Sequence, residues 1–306
     1  MLGRVNRKDQ ALAALVAVIW GFNFVVIDWG MGDVPPLLFL AARFAAVIVP
    51  AAFLLPKPPI PWRTIVLVGL FMSLGQFAFL YVAMDAGMPP GLAGLVLQAQ
   101  VVLTILIAAV ALRERPTGPQ CLGVLLGVVG LVVVGFGRGG HVPLVALFLC
   151  LTAALMWAVG NVLSRASGAT GGLSLTVWSA LVVPVPLVAL SVLIDGPDVL
   201  VTGAQAFGWQ AALSTLYTAG LASLVGYGLF NSLLSRNPSA AVVPWILLVP
   251  PVAIGSAWAL LDEVPSTGEL IGGTLLVAGV MVAGRGSRGS TGSAVPGPPA
   301  LVESTR

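Results

Sequence analysis

Ten apolar runs follow one another along almost the whole chain, and they constrain its fold more than any other feature. Each is close to the roughly 20 residues that a helix needs to cross the hydrocarbon core of a bilayer. Short breaks that carry proline, glycine or charge separate them. We place the runs at about 11–29, 36–56, 63–85, 90–112, 118–137, 142–164, 174–195, 207–233, 238–261 and 267–284.

These runs predict helices, because the strands of a membrane barrel would alternate polar and apolar residues. Charged residues make up 8% of the chain and hydrophobic residues 58%, whereas soluble domains carry about 25% charged residues. Such a chain cannot cover a water-facing surface, so its partner is the lipid bilayer. The predicted fold class is an all-α membrane protein with ten transmembrane helices.

The chain also contains an internal duplication at an offset of 149 residues. The matched pairs are Leu112 with Leu261, Glu114 with Glu263, Pro116 with Pro265, Gly123 with Gly272, and Gly130 with Gly279. Glutamate and proline at matching positions are informative in a chain so poor in charge. Each copy holds five runs, an odd number, so the second copy lies upside down relative to the first. Such inverted repeats place a binding site near the membrane midplane, between the halves.

We therefore divide the chain into four parts. Residues 1–10 form a cytoplasmic N-terminus, 11–137 the first repeat, 142–284 the second repeat, and 285–306 a tail. The tail is rich in Gly, Ser and Pro, which predicts disorder. The first run follows basic residues, as in a signal peptide, but we expect it to be a retained membrane anchor.

The basic residues predict the orientation in the membrane. With a cytoplasmic N-terminus, 12 of the 14 Lys and Arg residues lie inside, while Arg138 lies outside and Arg43 falls within the second run. Most acidic residues divide the other way. We therefore expect a multi-pass protein of the cell (inner or plasma) membrane with both termini in the cytoplasm.

Other classes of function fit the sequence poorly. The basic residues are scattered, so we predict no nucleic-acid partner. Cys121 and Cys150 lie in apolar runs, and His141, the only histidine, lies in an outer loop before a proline. An enzyme would need a nucleophile with a base, or a metal cluster, and neither pattern is present. We therefore expect no enzymatic activity, no cofactor and no metal. The chain also lacks an ATP-binding P-loop pattern, so transport would use a gradient.

Several stretches resemble the EamA-like exporters of the drug/metabolite transporter superfamily. They are residues 20–25 (WGFNFV), 43–44 (RF), 75–77 (GQF), 87–100 (GMPPGLAGLVLQAQ), the turn at Glu114, 178–181 (WSAL), 225–228 (VGYG) and 261–263 (LDE). The resemblance covers about residues 9–284. It implies a transporter of two EamA-like repeats. Residues 95–100 and 178–181 look closer to the amino-acid metabolite exporters, which implies export of metabolites such as O-acetylserine.

Polar residues inside the runs are the candidates for a substrate site, since a polar group in hydrocarbon is costly unless it has a partner. Ser223, Tyr227 and Asn231 follow one another at four-residue spacing and so share one helix face. The candidate substrate-binding residues are Trp20, Asn23, Gln76, Gln98, Trp157, Asn161, Tyr227 and Asn231. For each of them, the alternative is a hydrogen bond that holds two helices together.

Three charged residues are assigned structural roles. Arg43 is a full charge inside a run, which costs about 2.5–3.5 kcal/mol at a helix centre on insertion scales. We expect it to pair with Asp28 or with helix-terminal carbonyls; attraction of a substrate carboxylate is the alternative. Glu114 and Glu263 lie at helix turns, where each would stabilise a helix N-terminus or pair with an arginine.

Together these features predict a secondary transporter that exports small amino-acid-type metabolites, similar to O-acetylserine or cysteine, by alternating access. Its cavity would be uncharged when empty, and protons are a candidate coupling ion. The alternative is an efflux pump of the same superfamily with broader specificity for drugs or amphipathic metabolites. The sequence leaves open the exact substrate, the coupling ion and the oligomeric state.

Overall fold

The computed structural model describes residues 6–137, 142–167, 173–237 and 239–286. Among these residues, nine helices are long and apolar enough to cross a membrane, and a shorter apolar helix, α2, completes the set. The helices are α1 (Arg7–Met31), α2 (Pro36–Leu54), α3 (Trp62–Asp85), α4 (Pro90–Ala111), α5 (Gly118–Gly137), α6 (Leu144–Ala166), α7 (Leu173–Asp195), α8 (Trp209–Arg236), α9 (Ser239–Ile246 and Val249–Leu261) and α10 (Thr267–Gly286). Arg4, Arg138, His141 and the tail beyond residue 286 lie outside the described residues.

The chain is an all-α, multi-pass membrane protein, as its sequence predicts. The helices begin and end within a few residues of the predicted runs. Large apolar side chains point away from the protein on several helices; Val110, Phe136 and Leu193 are at least 80% exposed. Such side chains would be an aggregation hazard in water, but they suit contact with lipid.

One helix was not predicted. Val199–Ala206 forms a short helix in the connection between α7 and α8, where the sequence analysis placed only a break. It lies against the start of α2, and Gly203 makes this possible: a Cβ there would lie 2.7 Å from the Leu38 side chain. An eight-residue segment is too short for periodicity to distinguish it from a loop.

The two repeats have the same backbone geometry at the predicted turns. Arg113 and Asp262 are the two non-glycine residues with positive φ in the described residues, at 54° and 56°, and they are 149 positions apart. The next residue in each repeat bonds back to the helix: Glu114 N–H to the Ala108 carbonyl (3.5 Å) and Glu263 N–H to the Ala257 carbonyl (3.4 Å). A residue in the left-handed conformation is a common way to end a helix, and here both repeats end theirs with the same residue conformation and the same bond back across six positions. The sequence duplication is therefore a structural one.

The packing of α5 against α10 shows that the repeats are inverted. Gly123 meets Gly279, and Gly130 meets Gly272, so the two helices run in opposite directions. A Cβ on any of these four glycines would lie 2.5–2.6 Å from the backbone oxygen of its partner. Because Gly123 and Gly272 are equivalent in the two repeats, as are Gly130 and Gly279, the contact is its own image under a two-fold rotation. The glycines of α5 thus serve packing within the chain.

Irregular turns occur at equivalent places in both halves. Gly69–Gly75 in α3 and Tyr217–Val225 in α8 are π-helical. Helix α4 is interrupted after Val96, and α9 after Ile246. Segments of π-helix are rare and occur often at functional sites. In this protein they lie in α3 and α8, which both line the cavity described next.

Candidate functional site

A cavity of about 340 Å³ lies between the two repeats. Its walls come from α2 and α3 of the first repeat and from α6, α7 and α8 of the second. The hydroxyl and amide side chains among its lining residues are Ser73, Ser164, Thr176, Ser179, Ser223, Tyr227 and Asn231. The apolar lining includes Phe44, Phe77 and Phe230, and among the described residues no charged side chain lines the cavity. The cavity therefore offers hydrogen bonds and aromatic faces to a small polar molecule.

The cavity extends from the middle of the helices toward one side of the protein. Phe44 and Phe77 lie near the centres of α2 and α3, whereas Ser164, Leu175 and Leu234 lie close to the ends of α6, α7 and α8. These ends lie on the side where α1 begins, since successive helices cross in alternating directions. The cavity thus belongs to the side that carries the described N-terminus.

The opposite side of the protein is closed by α4 and α9. A Cβ on Gly91 would lie 3.1 Å from Ile254 Cα, and one on Gly94 would lie 2.7 Å from the Ala253 side chain. Among the described residues, the equivalent segments on the cavity side, Ala99–Ala111 and Ser239–Ile246, make no comparable contact. The two inverted repeats are therefore packed unequally, tight on one side and parted on the other.

The predicted ladder on α8 faces the cavity. Ser223, Tyr227 and Asn231 all line it, although the first of them lies in the π-helical segment. Trp20 packs against Tyr227, with their ring centroids 5.0 Å apart. The Trp20 indole N–H also donates to the Ala222 carbonyl at 2.9 Å. Trp20 thus holds α1 against α8 next to the cavity wall.

Arg43 lies beside the end of the cavity that is in the middle of the membrane, and it is 4% exposed. Its guanidinium donates to the Tyr81 hydroxyl at 3.2 Å and to the Ser223 hydroxyl at 3.3 Å, and it lies 4.4 Å from the Phe77 ring centroid. The expected partners, Asp28 or helix-terminal carbonyls, were therefore wrong. Since Tyr81 and Ser223 belong to different repeats, Arg43 does connect the halves.

The remaining predicted residues do not line this cavity. Asn161 donates to the Gln100 side chain at 3.1 Å, an interhelical bond between α6 and α4. Asn23, Gln76 and Gln98 are buried, and the Asn23 Oδ1 atom has no hydrogen-bond partner among the described residues. Trp157 packs at the edge of the apolar core. Their roles in substrate binding stay a prediction.

Sequence reasoning missed four of the polar lining residues, namely Ser73, Ser164, Thr176 and Ser179. Serine and threonine often bond to their own helix, as Ser179 does to the Thr176 carbonyl at 3.0 Å, so their presence in a run carries little information. Only the placement of α3 against α6 and α7 shows which of them face the cavity.

The two turn glutamates have different partners. Glu114 forms an exposed ion pair with Arg165 at 3.1 Å. Glu263 accepts a 3.4 Å hydrogen bond from the Gly91 N–H at the start of α4, on the closed side. Burial raises the pKa of Glu263 above its ordinary value; Asp28 and Glu269 add to this, while the Gly91 N–H opposes it. Glu114 thus pairs with an arginine, and Glu263 bonds to the N-terminal end of a helix. These are the two roles considered for the turn glutamates.

This pKa shift predicts a pH dependence of stability. Because the folded protein holds the Glu263 proton more tightly than the unfolded chain, stability that is present below the ordinary value of 4.5 falls as pH rises through the folded-state pKa. We expect Glu263→Gln, which keeps a hydrogen-bond acceptor for Gly91, to gain thermal stability over the wild type as pH rises. This is checked by measuring the unfolding temperatures of both proteins in detergent from below pH 4.5 upward.

The control for this experiment is Asp198→Asn, which removes an exposed acid from the connection between α7 and α8. It corrects for the loss of one negative charge. If the wild type and Glu263→Gln lose stability in parallel as pH rises, Glu263 does not titrate in the way that its surroundings indicate.

Comparisons with known proteins agree with this architecture. Residues 9–136 and 144–285 match the sequence family described as "EamA-like transporter family". The "Probable amino-acid metabolite efflux pump" of Escherichia coli (strain K12) is 38% identical over 284 residues, which cover 91% of this chain and 95% of that protein. The protein of the same name from Salmonella typhimurium is 39% identical over 284 residues, with the same coverage.

A solved crystal structure has a similar overall fold. It is 21% identical in sequence, with a TM-score of 0.61, and the match covers 91% of this chain and 98% of the other. At this level of identity the likeness concerns the fold alone. The resemblance inferred from the sequence motifs is confirmed by the family match and by the two efflux pumps.

Proposed function

Because the chain belongs to the EamA-like transporter family, we propose that it is a secondary active exporter of small amino-acid-type metabolites, similar to O-acetylserine or cysteine. The matched family is one of transporters, so we propose transport rather than catalysis. Two relatives that match nearly their full length are named as probable amino-acid metabolite efflux pumps. The chemistry of the cavity is consistent with such substrates.

The observation that carries this proposal is the cavity of about 340 Å³ between two inverted repeats, which lies toward one side of the protein while α4 and α9 pack tightly on the other. Amino acids are small and polar, and they need hydrogen-bond donors and acceptors to replace water. Tyr227 and Asn231 supply these groups, and we propose that both contact the substrate. A space of this size suits an amino-acid derivative better than a large drug molecule.

The unequal packing of two equivalent halves supports alternating access as the mechanism. In inverted-repeat transporters, the second conformation arises when the repeats exchange their arrangements around a fixed site. Here that exchange would part Gly91 and Gly94 from α9 and bring Ala99–Ala111 toward Ser239–Ile246. The π-helical segments of α3 and α8 and the breaks of α4 and α9 lie where such helices would bend.

Transport by the purified protein in liposomes tests the proposal. We expect uptake of labelled O-acetylserine or cysteine, and faster uptake when a pH gradient is imposed if protons are the coupling ion. Aromatic amino acids and a lipophilic cation serve as comparison substrates. Movement of the cation without movement of any amino-acid derivative would favour the alternative, a pump with broader specificity for drugs or amphipathic metabolites.

We further propose that both termini lie in the cytoplasm, so that the cavity is open to the cytoplasm. The distribution of basic residues supports this orientation. Cys121 near the start of α5 is exposed, whereas Cys150 is buried. A membrane-impermeant maleimide is therefore expected to label Cys121 in inside-out vesicles and not in right-side-out ones. The reverse labelling would overturn the orientation.

A further inference from the structure

We propose that Arg43 binds the carboxylate of the transported molecule, so that the protein selects substrates by their acid group. This inference rests on the proposed export of amino-acid-type metabolites and deepens it. It assigns the acid group of the substrate to one residue. It also replaces the purely structural role that the sequence indicated for Arg43.

The positive charge of Arg43 has no counter-ion among the described residues. An arginine side chain stays protonated in proteins, and the ion pairs found in the described part of the chain involve other residues. The hydrogen-bond partners of the guanidinium in the described residues, Tyr81 and Ser223, are neutral hydroxyls. The rings of Phe44 and Phe77 add cation–π contacts. Neutral partners stabilise the guanidinium but leave its net charge in place.

The hydrogen-bonding capacity of Arg43 is also incompletely used. A guanidinium has five N–H donors in a planar fork, and its Nε atom is buried without a partner among the described residues. An arginine that only connected the two halves would be expected to satisfy this atom, because an unpaired buried donor is costly. A bound carboxylate would supply both the missing acceptor and the missing negative charge.

The place of Arg43 in the fold allows this contact. Three residues that touch the guanidinium, namely Ser223, Phe44 and Phe77, are themselves lining residues of the cavity. Ser223 donates its own hydrogen to the Thr218 carbonyl at 2.8 Å, so it stays anchored if the arginine exchanges it for a ligand. Only one layer of side chains therefore separates Arg43 from the cavity, at the end of the cavity that lies in the middle of the membrane.

The lining residues also indicate how the rest of the substrate is treated. In the described part of the chain, they include no Asp or Glu that could select an ammonium group by charge. Recognition by charge thus falls on the acid group, and the amino group meets hydroxyls, an amide and aromatic rings. We expect a molecule that has lost its ammonium charge to keep most of its affinity, and one that has lost its carboxylate to lose most of it.

The test uses four matched ligands: O-acetylserine, its N-acetylated form, its carboxamide and its decarboxylated amine. Binding to the purified full-length protein is measured in detergent by tryptophan fluorescence, and transport is measured in liposomes. We expect the two carboxylates to bind at least about tenfold more tightly than the amide and the amine, since hydrogen bonds to charged groups are strong. We expect Arg43→Gln to bind the two carboxylates, the amide and the amine with about equal affinity.

A further variant separates substrate binding from a structural role. Tyr81→Phe removes one neutral partner of Arg43 while keeping the arginine, and Tyr81 is buried outside the cavity lining. If Arg43 binds the carboxylate, this variant keeps the preference for acid over amide. If it loses this preference as fully as Arg43→Gln does, the arginine acts through its contacts between the halves, and the proposal is overturned.

The outcomes for this inference and for the exporter function are distinguishable. Transport of O-acetylserine with equal binding of acid and amide by the wild type would overturn the role of Arg43 and leave the exporter standing. Arg43-dependent binding of carboxylates without transport would support the site and contradict the exporter. A wild-type acid-to-amide ratio near one overturns the role of Arg43 even if Arg43→Gln does not fold.

Discussion

Gly272→Leu is expected to lower the free energy of unfolding by about 3 kcal/mol or more, because overpacking at a backbone contact leaves no side chain that can move aside. A Cβ at this position would lie 2.5 Å from the Gly130 carbonyl oxygen and 2.8 Å from the Val134 nitrogen. The two helices α5 and α10 would have to separate along their length. Thermal unfolding of the purified protein in detergent measures the loss, together with the yield of monodisperse protein.

The matched control is Gly284→Leu in the same helix. A Cβ on Gly284 meets nothing within 4 Å, so the added side chain enters lipid or detergent. We expect its unfolding temperature to stay close to that of the wild type. If Gly272→Leu and Gly284→Leu unfold at the same temperature, the tight contact between α5 and α10 is not present in the protein.

Asn231→Trp is expected to abolish transport while leaving the protein folded. Asn231 lines the cavity of about 340 Å³, and an indole in its place would occupy much of the space that the substrate needs. The neighbouring lining residues belong to several helices, so the bulky ring would also prevent the closure that alternating access requires. Uptake of labelled O-acetylserine into liposomes measures the loss, and thermal unfolding shows whether the fold survives.

Ser232→Trp is the control for this variant. Ser232 is the next residue of α8, but its side chain is exposed on the outer surface of the helix. An indole there should leave transport within about twofold of the wild type, since exposed positions away from packed features tolerate substitution. Normal transport by Asn231→Trp would show that the substrate takes another route through the protein.

The fold could be predicted in detail because a bilayer leaves few alternatives. Backbone groups in hydrocarbon must bond within their own helix, so ten apolar runs predict the helices directly. The match of Glu114 and Pro116 to Glu263 and Pro265 located turns that prove to share a left-handed residue. The short helix Val199–Ala206 was missed because it lies outside the runs.

The candidate site could be predicted only in part. Ser223, Tyr227 and Asn231 were found together because four-residue spacing on a helix survives even through a π-helical segment. Asn161 and Gln100 were equally polar and equally placed within runs, yet they bond to each other. A polar residue in an apolar run therefore indicates an interior position, whether it faces a cavity or another helix.

By itself, the sequence determined that the chain is a membrane protein of two inverted five-helix repeats, because span length, parity and duplication are properties of the chain alone. Only the tertiary structure decided which side is closed, which hydroxyls face the cavity, and that Arg43 meets Tyr81 and Ser223 in place of Asp28. The physical reason is that the lipid acts on each helix separately. Contacts between helices depend instead on side-chain shape across elements far apart in the sequence, as with Gly130 and Gly272.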